Sequence, residues 1–263
     1  MASDSSSRPF KRLRKNDDQE GTEQSAEKAC ESSPTSGKNP LVVFAHGAGA
    51  PSTSEWMIRW KKMLGEALGA VEVITFDYPY ISGGKRRAPP KAEKLVDHHL
   101  EVVKAAVQKH PGHPLVLVGK SMGSRVSCMV ASARDISISA IVCLGYPLKV
   151  FLKSPMFSMQ FIALYTMEGI NGSVRDETLL QLTIPTMFVQ GSKDSLCPID
   201  KLDSTMKKMK CGNNLHVIDG GDHSFKIGKK FLESSGYSQD DAERRAVRAV
   251  MDFVIRAIKG ELI

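Results

Sequence analysis

The sequence lacks an apolar run of the ~18 residues that a membrane-spanning helix needs, so we expect no membrane span. Its N-terminus carries acidic residues early and has no hydrophobic segment, which argues against a secretory signal peptide. The five cysteines are odd in number and show no C-x-x-C spacing. This usage predicts free thiols in a reducing compartment and no metal site. We therefore expect a protein of the cytoplasm, the nucleus or both.

The features of a nucleic-acid-binding or nucleotide-binding protein are also missing. The formal net charge is +7, but no aromatic residues interleave with the basic clusters, so we expect no nucleic-acid partner. Gly119-Lys120-Ser121 follows an apolar run as it would in a phosphate-binding P-loop. That motif requires a further glycine at the position that Pro114 occupies, which excludes the nucleotide interpretation.

Composition divides the chain into a tail and a domain. Residues 1–39 are rich in Ser, Glu, Lys and Asp and have little to bury, which predicts a disordered tail. Residues 40–263 have the length of a single domain with a substantial core. Within the tail, Lys11-Arg12-Leu13-Arg14-Lys15 is either a nuclear-import signal or a solvated charge cluster.

Short apolar runs alternate with amphipathic stretches along the domain, which predicts an α/β fold with a mostly parallel sheet and helices on both faces. We predict strands near 41–45, 71–76, 115–118, 138–144, 186–190 and 215–219. We predict helices near 55–68, 92–109, 122–133, 199–209 and 240–259.

The pentapeptide Gly119-Lys120-Ser121-Met122-Gly123 lies between a predicted strand and a predicted helix. A G-x-S-x-G motif in this context is typical of the nucleophile elbow of α/β-hydrolases. The turn is so tight that only small residues fit on either side of the serine. The motif predicts that the Ser121 hydroxyl is a nucleophile exposed at the carboxyl end of the sheet.

An acid and a histidine follow two later strands in the order expected for a catalytic triad. Asp194 comes a few residues after the 186–190 strand, and His223 lies in a glycine-rich loop after the 215–219 strand. The order Ser, Asp, His is that of α/β-hydrolases. We predict that His223 is the general base for Ser121 and that Asp194 orients the imidazole. Such a site needs no cofactor.

The loop after the first strand is a candidate for the oxyanion hole. His46-Gly47-Ala48-Gly49 directly follows the 41–45 run. In this fold one oxyanion donor is the backbone N–H after the nucleophile, here Met122, and the other comes from an early loop, here Ala48. The His46 side chain is expected to be structural.

Two segments are candidates for substrate contacts, and each also has an interpretation without a function. Lys85, Arg86 and Arg87 follow a strand end that should point to the site, so they could bind an anionic substrate, with Lys120 as a further candidate. The alternative is a solvated loop. The apolar, Met-rich segment 150–170 could be a lid that favours acyl substrates, or an insertion without function. Together they favour an ester or thioester with an acyl chain and an anionic group.

The chain also resembles a known family over most of residues 40–230. The residues that carry the resemblance are His46-Gly47-Ala48-Gly49, Phe76-Asp77-Tyr78-Pro79-Tyr80, Gly119-Lys120-Ser121-Met122-Gly123-Ser124-Arg125, Gly145-Tyr146-Pro147-Leu148, Phe188-Val189-Gln190-Gly191-Ser192-Lys193-Asp194 and Gly221-Asp222-His223-Ser224-Phe225. These motifs resemble the α/β-hydrolase family that contains testis-expressed protein 30 and the hydrolase-like region of NSL complex subunit 3.

The resemblance implies a serine hydrolase without an assigned substrate. It also implies an alternative, a non-catalytic interaction module within a nuclear or chromatin complex. Dienelactone hydrolases are similar more distantly, but they use a cysteine nucleophile where this chain has Ser121, so their substrate is not carried over. Family members generally have fewer residues between the Gly-Tyr-Pro-Leu strand and the stretch that starts at Arg175, so the 150–170 segment is a departure from the family pattern.

Overall fold

The computed structural model of the protein describes residues 38–85, 87–132, 136–149 and 175–262. Several predictions concern residues outside these ranges. They are the tail through residue 37 with its 11–15 cluster, Arg86, and the 150–170 segment.

Within the described ranges, six strands form one sheet in the order β2-β1-β3-β4-β5-β6, and every neighbouring pair is parallel. The strands are β1 (Leu41–Ala45), β2 (Glu72–Phe76), β3 (Leu115–Lys120), β4 (Ala140–Leu144), β5 (Thr186–Gly191) and β6 (Asn213–Ile218). Every residue of the four central strands is buried. Continuous apolar runs suit this position because both faces of a parallel sheet are covered.

The register brings the carboxyl ends of the strands to one edge of the sheet. Gly119 of β3 pairs with Ala45 of β1 on one side and with Cys143 of β4 on the other. Gly191 of β5 pairs with Ile218 of β6. The loops that follow these strands therefore emerge side by side.

Helices cover both faces of the sheet. They are α1 (Glu55–Leu68), α2 (Val96–Lys109), α3 (Met122–Ala131), α4 (Glu177–Gln181), α5 (Ile199–Met206), α6 (Lys229–Ser235) and α7 (Gln239–Ile258), with short 3-10 turns at Ser82–Gly84 and Ala92–Leu95. Alternate residues of β1 point to opposite faces. Leu41 and Val43 belong to the core shared with α2 and α3, whereas Val42 and Phe44 belong to the core shared with α1 and α7.

An ion pair between a buried carboxylate and a half-exposed arginine joins α1 to α7. The Nε and Nη2 atoms of Arg59 lie 2.9 and 2.7 Å from the two carboxylate oxygens of Glu243. Glu243 is only 1% exposed, and Gln239 donates a further hydrogen bond of 3.0 Å to it. A carboxylate in this environment needs such partners, since an unpaired buried charge is strongly destabilising.

The predicted α/β-hydrolase fold is confirmed, with strand bounds within two residues of those expected. The helix expected at 92–109 starts with a 3-10 turn and becomes α-helical only at Val96. Helices α4 and α6 were not predicted. They have only five and seven residues, too few to show an apolar periodicity. Among the helices of the described ranges, none has the length and apolar character to cross a membrane.

Candidate active site

Ser121 lies in a strained turn between β3 and α3. Its φ of 52° and ψ of −115° are rare for a residue other than glycine. The flanking glycines make this turn sterically feasible. A Cβ on Gly123 would lie 2.6 Å from the backbone oxygens of Ala45 and His46, and one on Gly119 would overlap the Ser124 backbone. The hydroxyl is thereby held at the carboxyl edge of the sheet.

The side chains of Ser121, His223 and Asp194 are in hydrogen-bond contact. The His223 Nε2 atom lies 2.7 Å from the Ser121 Oγ atom, and Nδ1 lies 2.6 Å from an Asp194 carboxylate oxygen. A proton on Nδ1 satisfies the carboxylate and leaves Nε2 free to accept the serine proton. The structure thus brings together three residues from the ends of β3, β5 and β6.

Further donors orient the Asp194 carboxylate, which is 4% exposed. Gln190, near the end of β5, donates a 2.5 Å hydrogen bond to the oxygen that faces His223. The backbone N–H of Leu196 donates a 2.8 Å bond to the other oxygen. The carboxylate therefore has little freedom to turn away from the imidazole. Gln190 was not predicted to contact the proposed triad.

Lys120 anchors the loop that carries His223. Its ammonium group donates a hydrogen bond to the backbone carbonyl of His223 and lies 5.3 and 4.8 Å from the ring centroids of Trp56 and Phe225. Burial lowers the pKa of Lys120 to about 8, although the charges of Asp194 and Asp222 act in the opposite direction. The side chain is thus committed to the histidine loop and does not line the cavity described below.

Helices α1 and α7 hold the residues after His223. The Trp56 indole N–H donates a 3.0 Å bond to the Ser224 carbonyl. The Gln239 side chain donates a 2.9 Å bond to the Phe225 carbonyl and accepts a 3.0 Å bond from the Ile227 N–H. Phe225 adopts a φ of 66° and is fully buried. The histidine loop is therefore fixed from both helices of this face.

The loop with the predicted oxyanion donor is held by polar side chains. The buried His46 bonds the Gly47 carbonyl at 2.6 Å through Nδ1 and accepts a 3.1 Å bond from the Tyr78 N–H. Burial lowers the pKa of His46, in keeping with this neutral, structural role. The Tyr80 hydroxyl lies 3.1 Å from the Ala48 carbonyl. These bonds fix the orientation of the Ala48 peptide.

A cavity of about 600 Å³ opens beside Ser121. Ala48 and Met122 line it together with the serine. As the first residue of α3, Met122 has a backbone N–H that the helix itself cannot pair. The other lining residues are Pro89, Pro90, Lys91, Ala92, Glu93, Arg125, Pro147 and Arg175.

The basic loop lies next to this cavity rather than in it. Lys85 and Arg87 are exposed and line a neighbouring depression that shares Ala48 but does not include Ser121. Their role in substrate binding stays a prediction. Two arginines that were not predicted as substrate contacts, Arg125 and Arg175, do line the Ser121 cavity. Arg125 could have been found from its spacing, one helical turn after Ser121.

A strained serine after a central strand, with an acid and a histidine after β5 and β6 of a parallel sheet, defines the α/β-hydrolase architecture. A family model described as an alpha/beta hydrolase domain matches residues 38–255. The chain belongs to this family.

Solved structures with the same fold include an esterase and a lipase. The chain is 17% identical to Est1E from Butyrivibrio proteoclasticus with bound ferulic acid, covering 83% of this chain and 90% of that one with a TM-score of 0.57. For the monoacylglycerol lipase of Paleococcus ferrophilus the identity is 16%, the coverage 84% and 97%, and the TM-score 0.54. For an esterase from Pyrococcus furiosus the identity is 16%, the coverage is 84% of this chain and 83% of that one, and the TM-score is 0.57. At these identities the likeness establishes the fold.

Proposed function

We propose that the protein is a serine hydrolase that cleaves an ester or thioester of a small molecule through Ser121, His223 and Asp194. The observation that carries the proposal is the imidazole of His223, which lies 2.7 Å from the Ser121 hydroxyl and 2.6 Å from the Asp194 carboxylate. Family membership supports it. The lipase and the esterase named above show that this fold accommodates ester hydrolysis.

The geometry supports a two-step acyl transfer. In the first step Ser121 Oγ attacks the substrate carbonyl carbon while His223 Nε2 takes its proton, and Asp194 stabilises the resulting imidazolium. The backbone N–H groups of Met122 and Ala48 stabilise the oxyanion. The imidazolium then protonates the departing alcohol or thiol.

Water completes the reaction. His223 removes a proton from a water molecule as its oxygen attacks the acyl-serine ester, and the second tetrahedral intermediate collapses when His223 returns that proton to Ser121 Oγ. The products are a carboxylic acid and the free enzyme.

The interaction-module hypothesis rests on the resemblance to the chromatin-associated family, and it also invokes residues 11–15, which lie outside the described residues. The proposed location in the cytoplasm, the nucleus or both rests instead on the cysteine usage, which is typical of a reducing compartment. A pure scaffold has no physical need for the aligned Ser121, His223 and Asp194 side chains. Rescue of a null phenotype by a Ser121→Ala protein would favour the scaffold, whereas failure at normal abundance would favour the enzyme.

Labelling with a fluorophosphonate probe tests the enzyme directly, since the probe modifies an activated serine. We expect the wild-type protein to be labelled at Ser121 and the Ser121→Ala variant to be unlabelled. Ser132→Ala is the matched control at the far end of α3, where the hydroxyl donates a bond to the Cys128 carbonyl, and it should be labelled normally. A folded wild-type protein without label, or equal labelling of Ser121→Ala, would contradict the proposal.

A further inference from the structure

Arg125 places a guanidinium group beside the proposed nucleophile. It follows Ser121 by one turn of α3, and helical side chains lean toward the helix N-terminus, here the edge of the sheet where Ser121 lies. Both residues line the same cavity. The Arg125 side chain is 14% exposed, and its Nε atom is buried without a hydrogen-bond partner among the described residues. A buried donor of this kind costs free energy unless something accepts its hydrogen bond.

Arg175 brings a second guanidinium group to the cavity. Its backbone is fixed to the loop after β4, where its N–H donates a 2.8 Å bond to the Leu148 carbonyl and its carbonyl accepts a 3.0 Å bond from the Tyr146 hydroxyl. Burial lowers the pKa of Arg175, and the nearby charge of Arg125 lowers it further. The two like charges therefore repel each other.

Among the described residues that line the cavity, the carboxylates are too few to balance these cations. Three of its charged lining residues are basic, Lys91, Arg125 and Arg175, and one is acidic, Glu93. The Glu93 side chain is 60% exposed, and its oxygen lies 3.4 Å from Arg125 Nη2, a weak and screened contact. The remaining walls are largely apolar. Beside the proposed nucleophile, the lining thus combines an excess of positive charge with space for hydrocarbon.

We propose that Arg125 and Arg175 bind a carboxylate group of the substrate, so that the enzyme prefers esters or thioesters that carry a second, ionised carboxyl group. This inference rests on the proposed hydrolase function. The planar guanidinium fork matches a carboxylate, and two such forks bound to one anion relieve the repulsion between them. Groups in a partly buried cavity are also screened less by salt than the exposed Lys85 and Arg87.

Matched ester pairs test the preference. In one pair, 4-nitrophenyl hemiglutarate is compared with its neutral methyl ester, which places the carboxylate on the acyl side. In the other, the butyrate ester of 4-hydroxybenzoate is compared with that of methyl 4-hydroxybenzoate, which places it on the leaving group. We expect a higher kcat/KM for the anionic member of at least one pair, and the pair that shows it identifies the side.

Substitutions of the two arginines test whether they cause the preference for anionic esters. Arg125→Met and Arg175→Met should each lower the anionic-to-neutral ratio of kcat/KM by about 10-fold or more, as expected for a charged hydrogen-bond partner, and Arg125→Lys should lower it less. Arg248→Met, an exposed arginine on α7, is the control and should leave the ratio unchanged. Fluorophosphonate labelling and thermal unfolding of each variant confirm a folded, reactive protein.

Three results would overturn the inference while leaving the hydrolase proposal intact. One is normal probe labelling without an anionic preference in either pair. Another is a preference that survives in the Arg125→Met/Arg175→Met double variant. The third is a preference that disappears in Lys85→Met/Arg87→Met instead. Failure of the hydrolase proposal itself is distinguishable, because the wild-type protein would then remain unlabelled.

Discussion

The ammonium group of Lys120 donates a hydrogen bond to the backbone carbonyl of His223. The residue directly before the proposed nucleophile therefore positions the loop that carries the proposed base. Because Lys120 ends β3 and Ser121 starts the turn after it, one short stretch of backbone sets the position of both partners.

Replacing Lys120 by methionine should keep the packing against Trp56 and Phe225 but leave the His223 carbonyl without its donor. We expect a loss of about 1–3 kcal/mol in the free energy of unfolding and a fall of about 10- to 100-fold in kcat as the imidazole shifts. Urea denaturation and steady-state kinetics measure the two effects. The exposed Lys201→Met on α5 is the control, and equal behaviour of the two variants would contradict this role.

Lys120 should also make stability depend on pH. Its pKa in the folded protein is lowered to about 8 from an ordinary value of 10.5. Between these values the unfolded chain binds more protons than the folded one, so the free energy of unfolding rises with pH; below pH 8 both states are protonated and the contribution is constant. From pH 7.5 to 10, wild type should gain about 2 kcal/mol relative to Lys120→Met in urea denaturation. Parallel pH profiles for the two proteins would refute the prediction.

Asp194→Asn should lower kcat by about four orders of magnitude, because an amide favours the wrong imidazole tautomer while preserving size and shape. Asp222, which directly precedes His223 in the sequence, is the matched control. Its carboxylate accepts bonds of 2.7 and 2.9 Å from the Ser224 and Lys226 N–H groups, which an asparagine oxygen can also accept, so Asp222→Asn should retain most activity. Kinetics on one neutral ester compares them, and the opposite ranking would assign the role to Asp222.

Arg59→Met should destabilise the protein by about 1–3 kcal/mol, because it removes the two hydrogen bonds to the buried Glu243 carboxylate, although Arg59 itself is about half exposed. The Arg59→Met/Glu243→Met double variant should recover much of this loss. Lys62 serves as a surface control, since it and Glu66 are both exposed and 3.9 Å apart, a pair worth less than about 1 kcal/mol. Chemical denaturation of all three variants measures the differences; a similar cost for Arg59→Met and Lys62→Met would exclude a structural role for the ion pair.

The sheet could be predicted because the central strands are continuous apolar runs, and the carboxyl ends of parallel strands meet at one edge. That rule alone placed Ser121, Asp194 and His223 together. The face of the sheet on which the Lys120 side chain lies could also have been predicted from the sequence. Side chains alternate along a strand, so Lys120 shares a face with Val116 and Val118, which belong to the core of α1 and α7.

Other parts of the site have no local signal. The approach of Arg175 to Arg125 is a tertiary contact that no local sequence pattern describes. Gln190 looks like the end of an apolar strand, and only the turn after β5 brings its amide to Asp194. In each case a tertiary contact, rather than a local preference, decides the position.

The bonds from Gln239 to the Phe225 carbonyl and the Ile227 N–H have a consequence for the order of events during biosynthesis. Helix α7 leaves the ribosome after all the other elements described, so a nascent chain already contains Ser121, Asp194 and His223 before this clamp exists. The histidine loop then lacks two of its backbone partners and one wall of its apolar support. The described position of the His223 loop therefore depends on the last helix of the domain, which must pack before the proposed base is held in place.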